Sequence, residues 1–161
     1  MELTAKKITP CLWFDRNAEE AVNHYTSIFP HSRVVSVSHY GDAGPLPKGT
    51  VLVIIFELAG QRFMALNGGP HFKFTEAISL SVSCDTQAEL DAFWEKLSAG
   101  GEKGRCGWLK DKFGLSWQVV PSVMGEMMQD REKSSRVMAE VLRMNKLDIA
   151  ALQRASQGNP S

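Results

Sequence analysis

The sequence predicts an α+β fold in which two βαβββ-type modules form a cupped mixed sheet, followed by a helical C-terminal extension. Apolar residues change from strand spacing to helix spacing and back in each half of the chain, in the same order. Helix-entry signals recur 69 residues apart, at Asn17 with Glu20 and at Thr86 with Glu89. In the segment Cys106–Pro121, strand-forming residues flank a turn and predict a β-hairpin.

Length and composition fit one domain of 161 residues, of which 43% are hydrophobic. We expect that domain to span residues 1–161, with module one at about 6–67, module two at about 76–121 and C-terminal helices at about 122–155. The balance of 18 basic and 18 acidic residues argues against a nucleic-acid partner. No apolar run approaches the roughly 18 residues of a membrane span, and three widely spaced cysteines favour a reducing cytoplasm.

Module one begins with a predicted strand and a helix. Asn17 and Glu20 have the spacing of a capping box at the start of that helix, and Pro30 predicts its end. Three strands then follow, the last two joined at Ala59–Gly60, a tight hairpin signal. The predicted strand, helix and three strands lie at residues 8–14, 18–29, 33–39, 51–58 and 61–66.

Module two repeats this order in a shortened form. Residues 77–83 alternate apolar side chains with serines, which is the period of a strand. Thr86 and Glu89 predict the second capping box, and Asp111 with Gly114 predicts the turn of the hairpin. After Pro121 the apolar spacing becomes helical. Two polar residues there, Asn145 and Asp148, are the candidate caps of the last helix.

Seven segments carry a resemblance to a known family; they are residues 9–14, 18–25, 67–74, 79–83, 106–108, 111–118 and 144–148. The chain resembles the vicinal oxygen chelate superfamily, which includes glyoxalase I, bleomycin-resistance proteins and extradiol dioxygenases. It is most similar to the PhnB-like branch, some of whose members are described as 3-demethylubiquinone-9 3-methyltransferases. The resemblance implies paired βαβββ modules, commonly in a homodimer, with one cup-shaped small-molecule site per module pair.

The resemblance also implies which side chains line the cup. Every second residue of the first strand in each module would face a small-molecule ligand. Residues beside them on the last strand, and the loop that follows module one, would complete the surface. His71 on that loop is the candidate for acid–base catalysis. The implied ligand-binding residues are Leu12, Phe14, Met64, Asn67, Phe74, Ser79, Ser81, Trp108, Ser116 and Gln118.

Metal-dependent members of the superfamily hold a divalent ion with two side chains from each module, typically His and Glu. The aligned positions here are Pro10, Met64, Ser79 and Gln118. Proline has no side-chain donor, a thioether is a poor ligand for hard ions, and serine and glutamine are weak neutral ligands. We therefore expect no metal and no other cofactor. A displaced metal site that recruits His71 or Glu57 stays open as an alternative.

Methyl transfer is not supported by a cofactor motif. The common S-adenosylmethionine fold needs a glycine-rich turn between a strand and a helix, whereas Gly68–Gly69 and Gly100–Gly101 lie in a loop and at a helix end. The sequence predicts a metal-independent small-molecule-binding protein, and whether it is an enzyme stays open. The alternatives are a metal-dependent lyase, isomerase or dioxygenase, and a dimerisation module whose cup is filled by its own side chains.

Overall fold

The computed structural model describes residues 7–158, which divide between Lys73 and Phe74 into two compact units. Each unit contains a four-stranded mixed sheet and a helix between its first and second strands. The predicted α+β class, the βαβββ order of both modules and the C-terminal helices are therefore confirmed. None of the helices between residues 7 and 158 combines the length and the apolar character needed to span a membrane.

The first unit carries the first sheet, with strand order β1-β4-β3-β2. β1 runs parallel to β4 and the other neighbours are antiparallel. The β3–β4 connection uses Ala59 and Gly60 at positive φ, 46° and 81°, as a tight hairpin requires. The elements are β1 (Cys11–Phe14), α1 (Ala18–Ile28), β2 (Arg33–His39), β3 (Val51–Leu58) and β4 (Gln61–Asn67).

One face of the first sheet is buried beneath α1. Leu12 and Phe14 of β1 are 4% and 3% exposed, and the fully buried Ala21, Val22 and Tyr25 lie on the facing side of α1. Alternation along the strands leaves Cys11, Trp13, Met64 and Leu66 on the opposite side, which we call the open face of the first sheet.

Asn67, at the end of β4, caps α1 from a distance. Its Oδ1 accepts a hydrogen bond from Ala18 N at 2.9 Å and its Nδ2 donates to Val51 O at 3.0 Å. The main-chain carbonyl oxygen of Asn67 accepts a hydrogen bond from the Tyr40 hydroxyl at 2.6 Å. Asn17 occupies the predicted N-cap position, but its side chain makes no capping bond to the described residues. The side chain that bonds to the first helical N–H lies 49 residues away in the chain and has no local sequence signal.

The second unit carries the second sheet, with strand order β5-β8-β7-β6. Its predicted capping residue is confirmed, because Thr86 Oγ1 accepts from Glu89 N at 3.2 Å. The Glu89 carboxylate accepts in return from Asp85 N, at 2.7 Å. The elements are β5 (Ser79–Cys84), α2 (Gln87–Ser98), β6 (Glu102–Lys103), β7 (Trp108–Lys110) and β8 (Ser116–Pro121).

The C-terminal extension packs on the second unit. Gln87 of α2 donates from Nε2 to Leu147 O at 3.1 Å and accepts at Oε1 from Ile149 N at 2.9 Å. Asp148 caps the last helix through a bond from Ala151 N at 2.9 Å, as predicted, whereas Asn145 does not cap it. The helices are α3 (Met124–Met127), α4 (Arg131–Val141) and α5 (Ile149–Ser156).

The three cysteines are free thiols in different environments. Cys84, at the end of β5, is completely buried, and desolvation, with smaller contributions from Glu89 and Asp85, raises its pKa to about 12. Partial desolvation also raises the pKa of the Cys11 thiol, although that residue is exposed. Cys84 is therefore a core residue with little thiolate character near neutral pH.

Replacing Asn67 tests the long-range cap. Asn67→Ala leaves Ala18 N–H and Val51 C=O buried without their partner, so we expect the free energy of unfolding to fall by about 1–3 kcal/mol in a urea titration. Asn23→Ala, at an exposed position of α1, is the matched control and is expected to change it by about 0.5 kcal/mol or less. Equal losses in the two variants would contradict the cap.

The raised pKa of Cys84 predicts an alkaline effect on stability. Above pH 9 the unfolded thiol loses its proton while the folded thiol keeps it up to about pH 12, so the contribution of Cys84 to stability falls as pH rises through this window. We expect the stability difference between wild type and Cys84→Ala to be smaller at pH 11 than at pH 8, measured by urea unfolding. A pH-independent difference would show that the thiol does not titrate differently on folding.

Candidate functional site

The open face of the second sheet collects five of the predicted ligand-binding residues. In the strand register, Ser81 and Trp108 both lie directly opposite Gln118. Ser79 lies opposite Ser116, which on its other side is opposite Lys110. Leu80, Val82, Leu109, Trp117 and Val119 alternate with these residues and face α2 instead. The predicted grouping within module two therefore matches the register of the sheet.

Gln118 and Ser79 are joined by a hydrogen bond. Gln118 Nε2 donates to Ser79 Oγ at 2.9 Å, which orients the amide across the sheet. The row that runs from Ser81 through Gln118 to Trp108 thus combines a hydroxyl, an amide and an indole ring. Such a surface can pack against a flat apolar group and exchange hydrogen bonds with a polar one. None of these three side chains is an acid or base near neutral pH.

The first sheet places its predicted site residues on two different faces. Met64 lies beside Cys11 on the open face, whereas Leu12 and Phe14 are buried beneath α1. The prediction that Leu12 and Phe14 line one surface with Met64 is therefore wrong. Asn67, paired with Phe14 and 3% exposed, also belongs to the buried face and acts as the helix cap described above.

The length of one junction explains this error. Three residues, 15–17, connect β1 to α1, whereas two residues, 85–86, connect β5 to α2. Buried helix positions therefore repeat at 69 residues, as with Tyr25 and Trp94, but buried strand positions repeat at 70, as with Leu12 and Val82. A shift of one residue moves a strand side chain to the other face.

The same correction applies to the aligned metal position of module one. On the strand offset, the counterpart of Ser79 is Thr9 and not Pro10. Threonine is again a weak neutral ligand, so the four aligned positions still lack a carboxylate or an imidazole. Within residues 7–158, no group of three or more His, Cys, Asp or Glu side chains is arranged to hold a metal ion.

Glu57 and His71, the residues that a displaced metal site would recruit, lie in separate settings. The Glu57 carboxylate pairs with Arg33 at 2.9 Å and with Arg62 at 3.1 Å. The hydrogen bonds from these two guanidinium groups hold the pKa of Glu57 below its usual value. His71 is exposed in the loop that follows β4.

That loop is anchored on the open face of the first sheet by Trp13, which sequence reasoning missed. Trp13 Nε1 donates to Gly69 O at 3.0 Å, and the Phe72 ring meets the indole edge-on with ring centroids 4.9 Å apart. A Cβ added at Gly68 would lie 2.3 Å from the indole, so only glycine fits there. The sequence did contain a signal for this role, because neighbouring strand residues face opposite sides and Trp13 therefore lies on the face opposite to Phe14.

Phe74, predicted as a ligand residue, is half-buried at the start of the second unit.

Asp111 fixes the hairpin that carries Gln118. One carboxylate oxygen accepts from Phe113 N at 2.8 Å and from Leu115 N at 3.0 Å, and the other accepts from Trp117 Nε1 at 2.9 Å. Asp111 is only 2% exposed. The predicted hairpin and the turn role of Asp111 are confirmed, and Trp117 combines packing with this hydrogen bond.

The C-terminal extension supports the other end of the same hairpin. Cys106 N donates to Met144 O at 2.8 Å, and Gly107 N donates to Asn145 O at 2.7 Å. Cys106 and Gly107 have φ values of 60° and 81°, and the chain turns there into β7 at Trp108. The extension therefore helps to set the backbone from which Trp108 projects.

The comparisons with known proteins identify the family. The family described as 3-demethylubiquinone-9 3-methyltransferase matches residues 6–120. The chain belongs to this family. Together with the solved structures below, the match places it in the PhnB-like branch of the vicinal oxygen chelate superfamily and confirms the resemblance found in the sequence. The match ends before the helices of the C-terminal extension.

Two solved structures show the same fold. The PhnB protein from Bacillus cereus is 41% identical, with a TM-score of 0.66, and the alignment covers 72% of this chain and 99% of that one. A crystal structure of a Pseudomonas aeruginosa protein is 20% identical, with a TM-score of 0.62 and coverage of 73% and 98%. No curated protein matches the chain.

Asp111→Asn tests the carboxylate that holds the hairpin. An amide NH2 facing the Trp117 indole N–H would set two donors against each other, so we expect the free energy of unfolding to fall by about 1–3 kcal/mol. The Trp117 indole proton should also move upfield in a ¹H–¹⁵N NMR spectrum. Asp42→Asn is the control, because the Asp42 side chain is 88% exposed in its ion pair with Lys48. This variant should lower the free energy of unfolding by less than about 1 kcal/mol. An unmoved indole resonance in Asp111→Asn would contradict the bond.

Proposed function

We propose that this protein binds a small molecule on the open faces of its sheets, without a resident divalent metal. The observation that supports this most strongly is the row Ser81–Gln118–Trp108, with Ser79 bonded to the Gln118 amide. A largely apolar surface with a few placed polar groups is the usual composition of a small-molecule site. We also propose Met64, on the open face of the first sheet, as a ligand-binding residue.

Each side chain has a defined role in this proposal. The Trp108 ring supplies flat apolar surface, and the Ser79 and Ser81 hydroxyls donate or accept hydrogen bonds. The Gln118 amide fixes the polar end of the ligand. These groups hold and orient a ligand but do not move protons near pH 7, so we propose binding or sequestration, with His71 as the candidate acid–base residue for a modest chemical step.

The donor set separates this proposal from metal-dependent chemistry. Members of the superfamily that use a metal carry ligands of the histidine or glutamate type, and the corresponding positions here are Thr9, Met64, Ser79 and Gln118. Neutral hydroxyl, thioether and amide groups bind hard divalent ions weakly. A metal-dependent lyase, isomerase or dioxygenase would need ligands from elsewhere.

Methyl transfer, named in the description of the family, is not part of our proposal. The glycine-rich turn that binds a nucleotide cofactor lies between a parallel strand and the helix that follows it. Among residues 7–158, the junctions from a parallel strand to the next helix are residues 15–17, 85–86 and 122–123, and none of them contains a glycine.

We also propose that the chain forms a homodimer, as the resemblance implies. β2 is an edge strand of the first sheet and exposes Val34 and Val37, each 45% accessible. An edge strand with exposed apolar side chains is a common protein interface. Light scattering of the purified protein tests this, and a monomer at all concentrations would overturn it. A dimerisation module with no ligand would form the dimer but show no binding.

A thermal-shift screen tests the binding function. We expect some members of a panel of small aromatic and aliphatic alcohols, amides and carboxylates to raise the melting temperature. Trp108→Ala or Gln118→Met should lower the affinity for those ligands at least about tenfold, or roughly 1.4 kcal/mol. Gln61→Met, at an exposed position of β4, is the control and should leave affinity unchanged.

The same screen includes metal ions, with elemental analysis of protein purified without chelators. A large shift with millimolar Ni²⁺ or Mn²⁺, together with no response to any organic compound, would overturn the proposal in favour of metal-dependent chemistry. No response to organic compounds or metals would favour the dimerisation module.

A further inference from the structure

A small cavity lies on the open face of the second sheet, beside Ser116 and Trp108. Its volume is about 220 Å³. Strands β6, β7 and β8 contribute to its wall, and the segment before β5 closes one side. The side chains that line it include Glu76, Glu102, Lys103, Trp108, Lys110 and Ser116.

Ser116, which lines this cavity, has a buried and unused hydroxyl. The residue is 1% exposed, and its Oγ has no hydrogen-bond partner among residues 7–158. Native proteins pair nearly all of their buried polar side chains, so such an atom calls for a partner. Because Ser116 lies between Ser79 and Lys110 in the strand register, that partner would lie next to the row that forms the proposed ligand site, where Ser79 bonds to the Gln118 amide.

Lys110 and Glu76 form an ion pair at the same cavity. The Lys110 Nζ and a Glu76 carboxylate oxygen are 2.5 Å apart, and the Glu76 side chain is 61% exposed. The hydrogen bond between them lowers the pKa of Glu76 and raises the pKa of Lys110, so both are charged at neutral pH. The other lysine, Lys103, pairs with Glu95 at 2.8 Å.

We infer that this cavity is an anion subsite and that Glu76 occupies it as a tethered carboxylate until a ligand carboxylate or similar oxyanion replaces it. The inference rests on the proposed function and adds the class of ligand, a planar molecule that carries an anionic group. The planar part would pack on Trp108, which lines both the cavity and the ligand-binding row.

Three physical features favour this exchange. An incoming oxyanion takes over the charge pairing with Lys110, so the ammonium group keeps a direct counter-ion, with Glu102 opposite it in the strand register. The incoming oxyanion can also accept from Ser116 Oγ, which Glu76 leaves without a partner. Glu76 lies in an exposed segment before β5, so its side chain can turn to solvent when it is displaced.

The test compares benzoate with its neutral analogue benzamide, by titration calorimetry. Glu76→Gln removes the competing carboxylate and should raise the affinity for benzoate about tenfold. The reason is that the apparent affinity is reduced in proportion to the fraction of molecules in which the subsite is free. Benzamide affinity should change little. Asp91→Asn removes another lysine-paired carboxylate of the same unit, whose partner Lys146 does not line the cavity, and is the matched control, with an expected change below about threefold.

Three further variants separate anion binding from general effects. Lys110→Gln should abolish the preference for benzoate over benzamide, whereas Lys110→Arg should keep it and thus control for folding. Ser116→Ala should weaken benzoate in the Glu76→Gln background. Equal benzoate affinity in wild type, Glu76→Gln and Asp91→Asn would overturn the subsite and leave the binding function intact. The absence of benzoate binding to Glu76→Gln would also overturn the subsite. The binding function would still stand or fall by the thermal-shift screen, which tests it independently.

Discussion

Each four-stranded sheet buries one face against a single helix, and strand alternation then decides which side chains remain on the other face. In the first sheet this burial takes Leu12 and Phe14 into the core and leaves Trp13 and Met64 outside. In the second sheet it leaves a surface centred on Gln118. The hydrophobic effect thus sets the composition of the candidate site by removing every second residue from it.

The surface around Gln118 is held in place from both ends of the hairpin. At the turn, the buried Asp111 carboxylate satisfies two backbone N–H groups and the Trp117 indole. At the other end, backbone carbonyls of the C-terminal extension fix the left-handed residues Cys106 and Gly107. A rigid scaffold of this kind lowers the entropic cost of holding Trp108 and Gln118 ready for a ligand.

The chemistry left on this surface is neutral in its centre and charged at its edge. Gln118 and its serine neighbours offer hydrogen bonds without the ligands that a hard metal prefers. Lys110 and Glu76 at the adjoining cavity add a charged pair in which the carboxylate is the more exposed member. The chain therefore has the fold of its branch together with a neutral hydrogen-bonding surface, and this surface is the basis of the binding function that we propose.

The sequence by itself determined the class of fold, the order of elements, the Asp111 turn and the second helix cap, because these depend on local periodicity and short-range hydrogen bonds. Only the tertiary structure decided which face of the sheet each β1 residue occupies. The junction between β1 and α1 is one residue longer than the junction between β5 and α2, and this shift moves each aligned β1 side chain to the other face while the helices still align. It also decided that Asn67 caps α1 and that the buried Ser116 Oγ has no hydrogen-bond partner among residues 7–158. Contacts between residues far apart in the chain leave no mark on local spacing.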